Sequence, residues 1–193
     1  HIPNSLTGIN ILLGSIAIPI AFYDLQISSL IIILAAVLDF FDGATARWLN
    51  ARSELGKQLD SLADMICFGV APSIIMYLLM MKSNYLPELI FGNIYVLPFV
   101  AFILPLCAGI RLAKYNIQIA GTGFYGLPTP ASALFIISLP LILFQDASRY
   151  LWIQEAILNF YVLISITVVI SVLMISRIRM INLKFHVSEL RIC

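Results

Sequence analysis

Charged residues are scarce in this chain. They make up 11% of its 193 residues, where a soluble domain carries about 25%. Apolar residues make up 61%, and the mean hydropathy is +1.01. A soluble core cannot bury that much apolar surface, so lipid must cover the excess. Histidine is nearly absent: His1 and His186 stand at the two ends of the chain. An interior catalytic or metal centre built on histidine is therefore excluded. The cysteines number three, Cys67, Cys107 and Cys193. Their spacing matches no disulfide framework and no zinc site, and the first two read as small buried hydrophobes. The net charge is +1, and no nucleic-acid partner is expected. No internal repeat, low-complexity tract or linker interrupts the chain, so residues 1–193 read as one integral membrane domain. No basic segment precedes the first apolar run, and no cleavable signal peptide is expected. A start at His1 rather than Met leads us to expect that a few residues have been trimmed.

What is present is a set of apolar runs. A spanning helix needs about 20 mostly apolar residues. Six runs approach that length, near residues 8–23, 28–50, 56–81, 94–116, 128–144 and 153–176. The expected fold is an all-α membrane protein with six transmembrane helices. Pro19, Pro72, Pro98, Pro105 and Pro140 fall inside these runs. Membrane helices tolerate this because neighbours satisfy the freed backbone groups. With six spans, Arg47, Arg52, Lys57, Arg111, Lys114, Arg177, Arg179, Lys184 and Arg191 share one side, and only Lys82 and Arg149 lie on the other. Basic residues mark the cytoplasmic face. Both termini are expected there, in a multi-pass protein of the cell (inner) membrane. The basic tail after Ser176 suits either an anionic membrane surface or an ordinary stop-transfer flank.

The acids carry the chemistry. Of ten Asp and Glu residues, Asp39, Asp42, Asp60 and Asp64 lie in or beside two otherwise apolar helices. An Asp at mid-membrane costs about 2.5 to 3.5 kcal/mol on insertion scales, so four unpaired would cost roughly 10 kcal/mol. The penalty falls near the interface. Asp42 precedes Arg47 by five residues, about 7.5 Å along a helix, which places the group a turn or two below the cytoplasmic surface. Asp39 and Asp42 are spaced i, i+3, and Asp60 and Asp64 are spaced i, i+4, so each pair occupies one helix face. Gly43 and Ala46 share the face of the first pair, and Gly56 that of the second. These small residues leave room for a bulky ligand. Converging carboxylates either raise one another's pKa or bind metal. Oxygen donors favour Mg²⁺, Mn²⁺ or Ca²⁺ over zinc. Two such ions can clamp a phosphate and stabilise both the attacking and the leaving oxygen. The plainer alternative is four unrelated interfacial aspartates paired with Arg47, Arg52 and Lys57.

The segment Asp39-x2-Asp42-Gly43-x2-Ala46-Arg47-x8-Gly56-x3-Asp60-x3-Asp64 resembles the signature of the CDP-alcohol phosphotransferase family. That resemblance implies a six-helix fold, a homodimer and a polar cavity facing the cytoplasm. It also implies transfer of a phosphate-linked group from a CDP-activated donor to an alcohol, with release of CMP. In that pattern Asp39, Asp42, Asp60 and Asp64 hold two divalent cations, Mg²⁺ or Mn²⁺, and Asp64 is also the general base. Gly43, Ala46 and Gly56 make room for the nucleotide, Arg47 meets the donor phosphates, and Ser53 lies where related enzymes contact the donor. Ile2-Pro3-Asn4-Ser5-Leu6-Thr7 is similar to the family's opening segment. Asn4 and Thr7 are then nucleotide-pocket residues, although either could equally cap a helix.

Arg111-Leu112-Ala113-Lys114-Tyr115-Asn116, followed by Gly126-Leu127-Pro128-Thr129-Pro130, looks like the branch of that family whose donor is CDP-diacylglycerol and whose acceptor is L-serine. Lys114 and Tyr115 replace the commoner Arg and Phe of that branch. Arg111, Lys114 and Asn116 are candidates to bind the serine, although flanking positive charge alone would also place basic residues there. Phosphate-bearing acceptors such as glycerol 3-phosphate or an inositol phosphate would call for more basic residues than Arg111 and Lys114. A divalent-cation transporter would set its carboxylates near the midplane between inverted repeats. Here they lie at one interface, and no repeat is visible.

Overall fold

The computed structural model describes residues 2–48, 54–92, 94–117, 126–143 and 151–176. Side chains are described within these ranges except at residues 2–4, 42 and 44–48. Helices dominate. They are α1 (Ile2–Tyr23), α2 (Leu25–Trp48), α3 (Glu54–Asp64), α4 (Ala71–Met81), α5 (Ile103–Ile117), α6 (Thr129–Leu143), α7 (Leu151–Ile157) and α8 (Phe160–Ile175). A π-turn, Met65–Val70, joins α3 to α4, and a 3₁₀ turn, Leu97–Phe102, leads into α5. Ser5–Tyr23, Glu54–Met81 and Leu97–Ile117 are long and apolar enough to cross a membrane. Leu25–Phe41, Thr129–Leu143 and Phe160–Ile175 are shorter apolar helices. Among the described residues the architecture is thus almost entirely helical, with three helices of spanning length and three shorter apolar ones, where six full spans were expected.

Two local features depart from the hydropathy pattern. The run near 153–176 is two helices, not one. Asn159 takes an extended backbone, φ −80° and ψ 121°, and its side chain accepts the Tyr161 N–H. An N-cap of this kind starts a new helix, so α7 ends before it. Between α4 and the 3₁₀ turn the chain also forms a small antiparallel pair, β1 (Ile90–Phe91) and β2 (Ile94–Tyr95), with Ile90 opposite Tyr95. Two-residue strands leave no periodicity to detect.

α1 is the spine of the bundle. It packs against α2, α3, the π-turn and α4. Its buried stripe is Thr7, Asn10, Gly14, Ala17 and Ala21, all of modest size and spaced at three or four residues. Small residues let helix backbones approach closely without a hydrophobic drive. Ser28 at the start of α2 uses that closeness, its hydroxyl donating to the Ala17 carbonyl at 2.8 Å. On the other flank a Cβ on Gly14 would stand 2.5 Å from Cys67 Sγ and 3.1 Å from Cys67 Cα. Only a residue without a side chain admits the π-turn at that point.

The π-turn has a cause in the sequence. Pro72 has no N–H and its ring crowds the carbonyl four residues back. The chain widens just ahead of it, and the Ala71 N–H reaches back to the Ile66 carbonyl, one residue beyond the α-helical partner. Such wide turns recur at functional sites. This one begins immediately after Asp64.

Candidate active site

Asp39 lies on α2, and Asp60 and Asp64 on the last turn and a half of α3. Asp39 and Asp64 are half-buried and Asp60 is exposed. Cys67, in the π-turn, is fully buried, and both Asp64 and Asp39 act on it electrostatically. One carboxylate from each helix, Asp39 and Asp64, thus lies within electrostatic reach of the same buried thiol.

Helix register gives the level of that neighbourhood. From the Ser28–Ala17 contact, ten residues back along α1 is Thr7, and ten residues on along α2 is Leu38, next to Asp39. At 1.5 Å per residue both lie about 15 Å from the contact. The other flank is marked by Cys67, whose thiol donates to the Asn10 carbonyl at 3.1 Å. Three residues back along each chain stand Thr7 and Asp64. Thr7, 5% exposed, thus shares a level with Asp39 on one side and Asp64 on the other. Its place in the opening segment is consistent with a pocket wall.

α5 supplies a cation. It packs on the π-turn through glycines: a Cβ on Gly69 would meet the Ala108 side chain at 3.4 Å, and one on Gly109 would meet Met65 at 3.5 Å. That packing sets Arg111 beside Asp64, and the two act on each other electrostatically. Arg111 is half-buried, and among the described residues its Nε has no hydrogen-bond acceptor. Asn116 is engaged differently. Its amide donates to Ser61 Oγ at 2.8 Å, and its carbonyl accepts from Lys57 Nζ at 3.1 Å. It straps α5 to α3 beneath the acids. Lys114 is exposed. The three residues of the expected acceptor site thus occupy distinct environments, with Arg111 alone drawn in beside an acid.

Among the described residues, a Cβ on Gly43 would meet nothing within 4 Å. Gly56 is half-buried on the first turn of α3. Asn4, Asp42, Ala46 and Arg47 lie on α1 and α2 with side chains outside the described set, and Ser53 lies outside the described residues altogether. Among the described residues, which lack the Asp42 side chain, no three potential ligands form a metal-holding group. The donor chemistry still fits a hard divalent cation. Carboxylates from two helices lie within electrostatic reach of one residue, and among the described residues no histidine and no accessible thiol competes. Cys67 is buried, as its apolar surroundings predict, whereas Asn10 and Gly14, which it packs against, carry no role in the sequence pattern. A lone Asn inside the first apolar run was the available signal.

The chain resembles known proteins over most of its length. A protein of Bacillus subtilis (strain 168) named CDP-diacylglycerol–serine O-phosphatidyltransferase is 31% identical over 195 residues, covering 98% of this chain and 94% of that one. A Helicobacter pylori (strain ATCC 700392 / 26695) protein of the same name is 32% identical over 186 residues, covering 94% and 72%. One from Mycobacterium leprae (strain TN), again so named, is 33% identical over 188 residues, covering 93% and 57%. The family described as CDP-alcohol phosphatidyltransferase matches residues 1–173. A match running from the first helix almost to the end of α8 involves the whole architecture as well as the acidic segment, and the chain belongs to the CDP-alcohol phosphatidyltransferase family.

Proposed function

We propose that this protein transfers the phosphatidyl group of CDP-diacylglycerol to the hydroxyl of L-serine, giving phosphatidylserine and CMP. The observation that carries this is that Asp39 on α2 and Asp64 on α3 both lie within electrostatic reach of Cys67, as Arg111 does of Asp64. The names of its relatives support the same donor and acceptor.

In this proposal the donor's acyl chains stay in lipid while its CDP head enters from the cytoplasmic side. Gly43, Ala46 and Gly56 leave space for the nucleotide, Asn4 and Thr7 line its pocket, and Arg47 and Ser53 contact the donor. Asp39, Asp42, Asp60 and Asp64 hold two divalent cations, Mg²⁺ or Mn²⁺. Such ions, held there, would supply charge neutralisation at the donor pyrophosphate. Asp64 accepts the proton of the serine hydroxyl. The serine oxygen then bonds to the lipid-linked phosphorus as the bond from that phosphorus to the CMP oxygen breaks, and CMP leaves with the electron pair. Holding the reactants in line and balancing charge provide most of the acceleration. Arg111 would pair with the serine carboxylate, and its buried Nε, which has no acceptor among the described residues, supports that role. Six spans, cytoplasmic termini, an inner-membrane location and a homodimer complete the proposal.

Purified protein with CDP-diacylglycerol, serine and Mg²⁺ or Mn²⁺ should release CMP. A panel containing glycerol 3-phosphate and inositol phosphate should release none. Release with those acceptors and none with serine would overturn the choice of acceptor. Ion flux in vesicles without CMP release would favour a transporter. Arg111→Ala should raise the KM for serine by about 10- to 100-fold, since a charge-assisted hydrogen bond contributes about 1.5 to 3 kcal/mol, and should leave the KM for CDP-diacylglycerol within a few-fold. Equal effects on both substrates would remove Arg111 from the acceptor site.

A further inference from the structure

α3 and α5 meet at the π-turn but do not lie packed side by side. α3 packs against α1 and the π-turn, α5 against the π-turn and α8, and among the described residues α3 and α5 share no comparable contact. Close packing therefore does not set the distance between them, and polar side chains reach across instead. The Asn116 amide donates to Ser61 Oγ at 2.8 Å. Lys57 Nζ donates to the Asn116 backbone carbonyl at 3.1 Å. That carbonyl belongs to the last turn of α5, where the helix leaves its own acceptors open and a lysine can fill them. Ser61 is engaged in both directions, since its hydroxyl also donates to the Lys57 carbonyl at 3.2 Å. These bonds continue a single antiparallel register. A Cβ on Gly109 would meet Met65 at 3.5 Å, and Arg111 and Asp64 lie within electrostatic reach of each other. Asn116 on Ser61 is the next rung. It stands three residues from Asp64 along α3 and five from Arg111 along α5, about 4.5 and 7.5 Å away.

We propose that Lys57, Ser61 and Asn116 are positioning residues for the acceptor side: their hydrogen bonds across the α3–α5 gap hold α5 in the register that keeps Arg111 level with Asp64. The role rests on the proposed pairing of Arg111 with the serine carboxylate. Arg111 rides on the α5 backbone, so any slip of α5 against α3 moves the acceptor relative to its general base. A misplacement of about 1 Å between reacting groups can cost about 100-fold. In this arrangement Asn116 acts through Arg111 and does not itself bind serine. The two roles differ in a measurable way. A positioning residue loses its effect once Arg111 is gone, whereas a direct serine ligand keeps it.

The test measures CMP release by the full-length protein in detergent, with serine and CDP-diacylglycerol varied in turn. Ser61→Ala should raise the KM for serine by about 3- to 10-fold, the effect of one lost hydrogen bond, and leave the KM for CDP-diacylglycerol within about twofold. Ser61→Thr keeps the hydroxyl and should restore the wild-type value. Lys57→Met keeps the chain length and removes the donor at an exposed position. It should show the same serine-selective rise, and it decides the question should Ser61→Ala not fold. In an Arg111→Ala background both Ser61→Ala and Asn116→Ala should add nothing to the KM for serine. Effects that multiply in that background would overturn the proposal and make Asn116 a direct ligand. An unchanged KM for serine in Ser61→Ala and Lys57→Met, with Arg111→Ala still raising it, would overturn this inference alone. No turnover of serine by the wild type, or no rise in its KM in Arg111→Ala, would instead overturn the proposed acceptor site, and this inference with it.

Discussion

Asp64→Asn should cut CMP release from CDP-diacylglycerol and serine by about 10²- to 10⁴-fold, the range a general base contributes. The substitution preserves shape and removes the charge and the proton acceptor together. Asp64 closes α3 immediately before the π-turn, so its backbone is set by Pro72 and by α1, and neither is touched. Thermal unfolding should therefore stay close to wild type while turnover collapses. Turnover that survives unchanged would sink the general-base role. A parallel fall in unfolding temperature would point to lost structure instead. Asp60→Asn makes a useful contrast. Asp60 is exposed one turn earlier, and under the proposed two-metal arrangement its loss should weaken metal binding, raising the Mg²⁺ or Mn²⁺ needed for turnover, without removing the proton acceptor.

The second large effect is structural. Gly126→Ala should lower stability by about 2 to 5 kcal/mol. Gly126 is buried with φ +77°, a left-handed conformation that carries a penalty of about 1 to 2 kcal/mol for any residue with a Cβ. The added methyl would also overlap the backbone carbonyl oxygen of Met174 and meet the Ser176 oxygen at 3.2 Å. Backbone on both sides leaves little room to relax, and overpacking of this kind costs about 1 to 3 kcal/mol more. Each kcal/mol lowers the unfolding temperature of a chain this size by about 2 to 4 °C, so a fall of roughly 5 to 15 °C is expected. A thiol-reactive dye can follow it, because Cys67 and Cys107 are buried until the fold opens. A shift below 2 °C would mean that the Gly126–α8 contact contributes little.

That contact also shows what a tight turn does here. The Leu127 N–H donates to the Leu173 carbonyl at 3.0 Å, which docks the start of α6 onto the end of α8. Gly126 to Pro130 lies at the start of the apolar run near 128–144, which is where α6 begins. Nothing in the order of those residues said that their partner lies nearly fifty positions further on.

Composition alone determined that lipid is the solvent, because no core could hold so much apolar surface. The i, i+3 and i, i+4 spacing of Asp39, Asp42, Asp60 and Asp64 determined that each pair shares a helix face, because that periodicity is local to one helix. Pro72 and the apolar runs determined where most helices lie. The break at Asn159 was beyond hydropathy, since a capping Asn inside an apolar stretch reads as a tolerated polar residue. Tertiary structure decided what stands between and beside the two acidic pairs. α1 is the common neighbour that brings them level, because Gly14 and Ala17 let two backbones approach it on opposite flanks. Packing through Gly69 and Gly109 decided that Arg111 meets Asp64 and that Asn116 ties α3 to α5. Those contacts join residues far apart in the chain, and no local pattern encodes which small residue will face which.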